Sequence, residues 1–329
     1  LLTIPRLHPS LHCGGLQRQE KAARQRLTPV PAANRLILRR NKPMSVFPRR
    51  HYTLQMQSGA LEVGRRTLVM GILNVTPDSF SDGGRYHSRQ AAVQQALDLI
   101  VAGADILDIG GESTRPNSDP VAPDEQLERV LPVIEAVRES SDVPISIDTT
   151  SGEVARKALE AGANIINDVS SLQFDEDMAG VAADSGVPLI LMHMQGKPKT
   201  MQVSPTYASL FSEVIAFLEE RIAFATRNGI QRSQIIVDPG IGFGKNINHN
   251  LLLIRDLELL RCLDRPILLA ASRKRFIGTI LDRSEEDREV GTAVVNSFGI
   301  AAGAHIIRAH DVEIHKQVAV MSDALREAV

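Results

Sequence analysis

The sequence predicts a single α/β domain built as an eight-fold β/α (TIM) barrel, preceded by a basic, disordered extension. Three observations carry that reading. From residue 67 onward, short β-branched or aliphatic runs alternate with helix-length amphipathic stretches. The runs are eight in number and mainly apolar rather than alternating, which suits parallel strands covered on both faces. Shared among eight units, residues 67–329 give about 33 residues each, near the size of a βα repeat.

The runs are Leu68–Leu73, Ile106–Ile109, Ile145–Ile147, Ile165–Ile166, Leu189–Met192, Ile235–Val237, Ile267–Leu269 and His305–Ile307. Helical patterns lie between and after them at 89–102, 124–139, 151–161, 175–185, 207–228, 247–261, 285–302 and 311–327. Pro123-Asp124-Glu125 and Ser151-Gly152-Glu153 place acids in a first turn, where the helix dipole favours them. Gly103, Gly162, Gly186 and Gly229 stand where helices should stop. The strings AGAD (102–105), AGAN (161–164) and AGAH (302–305) recur as helix-to-strand connections, a weak internal repeat. The rival fold is an open doubly wound sheet. Its Gly-x-Gly-x-x-Gly turn is missing after the first run, where residues 71–76 read Gly-Ile-Leu-Asn-Val-Thr.

Composition agrees. Of 329 residues, 43% are apolar and 23% charged, enough to fill a core and to exclude a disordered or fibrous chain. Aromatic residues are 4% with no Trp, so the core must be aliphatic. Two cysteines, Cys13 and Cys262, support neither a disulfide framework nor a cysteine zinc site, and a reducing cytoplasm is the simple reading. No apolar run is long enough to span a membrane.

Residues 1–50 carry eleven Lys/Arg against one acid, Glu20, and six prolines interrupt them. The remainder, 51–329, is correspondingly acidic, a poor match to nonspecific nucleic-acid binding. The extension reads as a transit peptide, as a basic tail for an acidic partner, or as upstream sequence before a start at Met44. The position of Met44, just before the domain start, favours the third.

Nearly every apolar run ends in a polar residue: Asn74, Asp108, Asp148, Asn167 with Asp168, His193, Asp238, Ser272-Arg273-Lys274, and Arg308 with His310 and Asp311. In a β/α barrel these ends share one face, the C-terminal mouth where active sites lie. Charges beside buried strands are costly unless paired or used. Asp168 and Asp311 could each simply cap the helix that follows, and Asp108 could pair with Arg273 or loop amides. Asp148, Asn167 and Asp238 offer acceptors for a ring rich in N–H donors, such as an aminopyrimidine. Lys274, Arg308, His310 and Arg115 offer positive charge for carboxylate or phosphate oxygens. Asn74 is a neutral oxygen donor usable by Mg²⁺. The string GIGFGK (240–245) lacks the spacing of a phosphate loop, and Lys245 reads as a surface residue. Two long connections, 74–84 and 110–123, follow strands on the same face and read as binding loops or lids.

The strings MGILNVTPDSFSDGG (70–84), GGESTRP (110–116), SIDT (146–149), NIINDV (164–169), LMHMQGKPKTMQ (191–202), VDPGIGFGK (237–245), ASRK (271–274) and HIIRAHDV (305–312) resemble, in order, the dihydropteroate synthase family. The resemblance covers about 66–327 and leaves the extension outside it. It implies an eight-fold barrel that condenses 6-hydroxymethyl-7,8-dihydropterin diphosphate with p-aminobenzoate, releasing diphosphate and forming 7,8-dihydropteroate in folate biosynthesis. It further implies that Asp148, Asn167 and Asp238 hold the pterin and that Lys274 reaches both the pterin and the p-aminobenzoate side. Arg308, His310, Thr114 and Arg115 would grip the diphosphate, and Asn74 would bind Mg²⁺. Phe80, Asp82 and Pro116 would close over p-aminobenzoate, where sulfonamides compete. Lys274, Arg308 and Asp82 are the implied catalytic residues, and a homodimer is the family expectation; the apolar character of the late helical patterns, 285–302 and 311–327, makes them the expected contact.

One position departs from the family: Arg275 stands where many members carry Ser, and it is expected at the start of the helix after the seventh strand, near the p-aminobenzoate carboxylate. The alternative functions are a methyltetrahydrofolate:corrinoid methyltransferase barrel, which needs no diphosphate grip, and a non-catalytic pterin binder, which needs neither Asn74 nor the lid. Arg308, His310 and the Ser-Thr-Arg-Pro string speak against the first, and the retention of every motif residue, Asn74 and the lid included, speaks against the second.

Overall fold

The computed structural model describes residues 49–76, 84–112, 121–196 and 201–328, with 84–88 as helix backbone only. Residues 46–329 form one compact unit. It begins with an antiparallel hairpin, β1 (Tyr52–Met56) and β2 (Gly59–Val63). The chain then alternates: β3 (Leu68–Asn74), α1 (Gly84–Val101), β4 (Ile106–Gly110), α2 (Pro123–Ser140), β5 (Ile145–Asp148), α3 (Gly152–Glu160), β6 (Ile165–Asp168), α4 (Met178–Ser185) and β7 (Leu189–Met192). There follow α5 (Leu210–Arg227), β8 (Ile235–Asp238), α6 (Ile247–Arg255), β9 (Leu268–Leu269), α7 (Arg275–Leu281), α8 (Glu289–Ala301), β10 (Ile306–Ala309) and α9 (Val312–Glu327).

β3 to β10 form one eight-stranded parallel sheet in the order β8-β7-β6-β5-β4-β3-β10-β9. A parallel bridge between Val237 and Ile267 joins its two ends, so the sheet closes into the expected barrel. Closure removes every edge strand.

Two-residue alternation along each strand explains the continuous apolar runs. One set of side chains faces the helices: Val69, Leu107, Ile145, Ile147, Ile166, Leu189, Leu191, Ile235, Val237, Leu269 and Ile307 pack there with Val133, Leu218, Leu253 and Ile300. The other set fills the barrel: Leu68, Met70, Ile106, Ile165, Ile190, Ile236, Leu268 and Ile306. Leu54 and Val63 from the hairpin join this inner cluster. The hairpin thus plugs the floor beneath the inward residues that open the strands. Gln234 secures it, accepting from the Gln55 amide at 2.9 Å and donating to the Gln55 carbonyl.

Local signals behave as their chemistry requires. α2 starts on a proline with Asp124 and Glu125 in its first turn, and Ser151 caps α3 at the Val154 amide. Gly103, Gly162, Gly186 and Gly229 all adopt positive φ at helix ends.

Several expectations need correction. The hairpin was not anticipated, because each of its strands buries a single residue and so shows no apolar run. α7 begins at Arg275, the expected start of the helix after the seventh strand, although 275–281 carries no clear helical pattern and only three of its residues are buried. The helix expected over 247–261 breaks at Asp256 and continues as a 3₁₀ stretch, Leu257–Leu263. The helix expected from 285 begins with a 3₁₀ turn, Glu286–Arg288. At the chain's entry, Arg49 pairs with Asp323 at 3.0 Å, and Arg50 pairs with Asp264. The rest of the extension lies outside the described residues.

Candidate active site

Barrel geometry decides which strand residues meet. Two residues beyond four of the inward apolar residues, the next inward position is polar: Asp108 above Ile106, Asn167 above Ile165, Asp238 above Ile236, Arg308 above Ile306. Asp148 lies in register between Gly110 and Asn167. These ends share the C-terminal mouth.

Arg308 ties the floor of that mouth together. Its Nε donates to Asp108 Oδ2 at 2.5 Å and its Nη2 to Asp148 Oδ2 at 2.7 Å. The Asn167 amide donates to the two Asp108 oxygens at 3.4 and 3.2 Å. Asp108 therefore pairs with Arg308 and Asn167, and not with Arg273; Arg273 pairs with Glu289 at 2.9 Å. Among the described residues, Asp148 Oδ1 is buried with no hydrogen-bond partner. A buried carboxylate oxygen without a donor is costly, and it marks a place for a ligand N–H. Burial and the neighbouring Asp108 charge push the Asp148 carboxyl up to about 7, against the pull of Arg308 and Lys274. Burial also lifts the Asp238 carboxyl to about 6, against its bond from the Gly240 amide and the pull of Lys274 and Lys245. Burial lowers the Arg308 guanidinium, but Asp108 and Asp148 outweigh it, and the group stays charged.

The turn after β8 forms one wall. Asp238 accepts from the Gly240 amide at 2.7 Å. Gly240 has φ of 68°, and a Cβ there would lie 1.9 Å from the His193 carbonyl, so only glycine fits. Lys245, expected at the surface, is buried instead. Its ammonium sits 2.9 Å from His193 Nδ1 and donates to the Phe243 carbonyl at 2.9 Å and the His193 carbonyl at 3.4 Å. Burial lowers its pKa to about 7, and burial next to Lys245 drives His193 far down, so the imidazole is neutral. Phe243 packs with Val169, Met192, Met194 and Met201 in a small apolar cluster. The Lys274 ammonium lies 4.2 Å from the Phe243 ring centroid. It is also close enough to Asp148 and Asp238 to pull both carboxyls down.

Among the described residues, the structure thus gathers Asp148, Asn167, Asp238, Lys274 and Arg308 around one mouth. Ser272 and His310 meet at its edge, with Oγ 2.8 Å from Nδ1. Asn74 ends β3 half-buried, level with Gly110. Asp311 caps α9 at the Ile314 amide, as the capping alternative anticipated. Asp168 serves the turn that follows, accepting from the Ser170 and Leu172 amides, rather than a helix. Phe80, Asp82, Thr114, Arg115 and Pro116 lie outside the described residues. Sequence reasoning passed over Phe243 and misplaced Lys245; the glycines that alternate with them in GIGFGK were the available signal of a tightly nested turn.

A barrel whose mouth sets buried acid and amide acceptors against an arginine and a lysine defines an enzyme-type site for a flat, N–H-rich heterocycle carrying an anionic group. The comparisons agree. A family model described as pterin binding enzyme matches residues 70–310. The chain is 48% identical over 263 residues to the dihydropteroate synthase of Synechocystis, covering 80% of this chain and 91% of that one. It is similar to the structure of the Yersinia pestis dihydropteroate synthase in a sulfonamide drug complex: TM-score 0.79, 41% identity, 84% of this chain and 100% of that one. It is also similar to the Xanthomonas albilineans dihydropteroate synthase with 4-aminobenzoic acid: TM-score 0.80, 40% identity, 85% and 100%. The chain belongs to the dihydropteroate synthases of the pterin binding enzyme family. It is accordingly a transferase of folate synthesis.

Proposed function

We propose that the mouth holds the pterin of 6-hydroxymethyl-7,8-dihydropterin diphosphate on Asp148, Asn167 and Asp238, and directs its diphosphate toward Arg308 and His310. The observation that carries this reading is the buried Asp148 Oδ1, an acceptor without a donor among the described residues, beside an arginine. Lys274 bridges the pterin and the p-aminobenzoate side. Thr114 and Arg115 complete the diphosphate grip, and Phe80, Asp82 and Pro116 close over p-aminobenzoate. Residues 51–329 are the catalytic unit, working in the cytoplasm, and residues 1–50 are an extension to it. Among the described residues, no helix is long and apolar enough to cross a membrane.

The reaction breaks the bond between the pterin methylene and the diphosphate oxygen, and the electron pair leaves with diphosphate. Arg308 and His310 offset the charge that builds on the leaving oxygens. The methylene becomes cation-like, stabilised by the electron-rich ring, and the aryl amine attacks it and loses a proton. No protein nucleophile takes part. A closed lid over the mouth keeps water from the cation.

Among the described residues, no three His, Cys, Asp or Glu side chains gather to hold a metal. One neutral amide, Asn74, suits a hard ion that arrives bound to diphosphate and keeps several waters. Asn74 would hold Mg²⁺, which when bound neutralises phosphate oxygens.

Self-association is proposed through α8 and α9. Val290, Val294 and Phe298 repeat at four-residue spacing on α8, all more than half exposed, and Val320, Met321 and Leu325 are similarly exposed on α9. A second copy of the chain would cover both.

Mixing both substrates with Mg²⁺ tests the reading: diphosphate and 7,8-dihydropteroate should appear in equal amounts. A pterin–enzyme adduct trapped without p-aminobenzoate would overturn the dissociative route. Asp82→Ala should slow turnover far more than it weakens pterin binding.

A further inference from the structure

Arg273 stands between two residues of the mouth, Ser272 and Lys274, and its backbone is left-handed, with φ of 55°. A residue bearing a side chain keeps that conformation only where its surroundings hold it. Here the hold comes from the helix behind. The Arg273 amide donates to Thr292 Oγ1 at 3.1 Å, and Arg288 Nη1 donates to the Arg273 carbonyl at 2.9 Å. Arg273 Nε donates to Glu289 Oε2 at 2.9 Å.

Glu289 is itself held from the other side. Its Oε1 lies 2.7 Å from Nε2 of the fully buried His315 of α9, and His315 Nδ1 lies 3.1 Å from the Asn296 amide nitrogen. Facing a carboxylate at this distance, His315 Nε2 donates to Glu289 Oε1. Burial pushes the Glu289 carboxyl up, but the bonds from His315 and Arg273 outweigh it and keep the group ionised. One carboxylate therefore joins two outer helices to a strained backbone step.

We propose that Glu289 is a positioning residue for Lys274: it anchors Arg273 and so fixes the turn that aims the Lys274 ammonium across Phe243 into the mouth. The same turn presents Ser272 to His310. Glu289 touches no substrate; it acts through the geometry of residues 272–274. The claim rests on the reading of Lys274 as a pterin contact.

The test compares Glu289→Ala, Glu289→Gln and Thr292→Val with wild type, each checked for folding by circular dichroism. Calorimetry with the dihydropterin should give a dissociation constant about tenfold higher in E289A and about threefold higher in E289Q and T292V, with kcat falling as well. In a Lys274→Met background, E289A should change pterin affinity less than twofold, because the residue it positions is gone. An equal loss in both backgrounds, or wild-type affinity in E289A, overturns the proposal. A crystal structure of E289A supplies a readout that needs no pterin: the Lys274 ammonium should leave the Phe243 face by more than about 1 Å. An undisturbed Arg273–Lys274 step overturns the proposal. Wild-type protein that binds no pterin contradicts the proposed function instead, and the crystallographic readout still decides the role of Glu289.

Discussion

Arg308 and Asp148 meet side chain to side chain at 2.7 Å across the barrel mouth, and the contact uses only one of the two carboxylate oxygens. Oδ2 takes the guanidinium, while Oδ1 is buried without a donor among the described residues. Arg308 thus holds the carboxylate in place and leaves its other oxygen to the ligand.

Asp148→Asn should therefore weaken dihydropterin binding by on the order of 10–100-fold, the worth of a charge-assisted hydrogen bond and its orienting partner. Arg308→Lys should not restore function, since an ammonium cannot span Asp108 and Asp148 as the guanidinium fork does. Calorimetry measures both. An Asn variant with unchanged affinity would remove Asp148 from the pterin site.

Affinity should depend on pH in one direction. Asp148 and Asp238 must be ionised to accept two or more N–H bonds, and burial sets their carboxyls at about 7 and about 6. Pterin binding should therefore weaken as pH falls from 8 to 5.5. Stability of the unliganded chain should run the other way. Both folded values are raised above the ordinary 3.8, so the folded state binds the extra protons. Their contribution is fully present below about 4 and is lost as pH rises through 6 to 7. Asp148→Asn with Asp238→Asn should flatten that slope in thermal melts; an unaltered slope contradicts the assignment.

Arg275 opens α7 and is exposed. Exposed charge pairs contribute about 0–1 kcal/mol, so Arg275→Ser should raise KM for p-aminobenzoate by no more than about fivefold. Steady-state kinetics decide; a much larger rise would mean that the guanidinium turns inward to the carboxylate.

The floor plug separates stability from chemistry. Leu54 is fully buried at the opposite end of the barrel from the mouth. Leu54→Ala should cost about 2–4 kcal/mol in urea unfolding while leaving kcat and both KM values within about twofold. A loss of kcat at unchanged stability would contradict this division.

Phe298→Asp together with Val294→Asp should convert a dimer to a monomer in sedimentation, since both side chains are more than half exposed on the proposed contact. A dimer that survives both charges moves the interface elsewhere.

Eight strands and the polar residue near the end of each were readable in the linear sequence, because a strand buried on both faces needs a mainly apolar run, and an Asp, Asn or Arg in or beside it marks where the strand reaches the mouth. The hairpin at 52–63 was not readable: Leu54 and Val63 bury one residue per strand, and only the barrel floor makes that burial worthwhile. Residue chemistry likewise marked Asp148, Asn167, Asp238, Lys274 and Arg308 as one binding set. What it could not assign were the partners, which depend on side chains far apart in the chain. Arg308 reaches Asp108 and Asp148 rather than standing free, Arg273 turns away to Glu289, and Lys245 folds under the mouth onto His193. Strand pattern is a local property of solvation and backbone geometry, legible two residues at a time. Pairing of buried charges is settled only when closure of the barrel brings β4, β5 and β10 to within a guanidinium's reach.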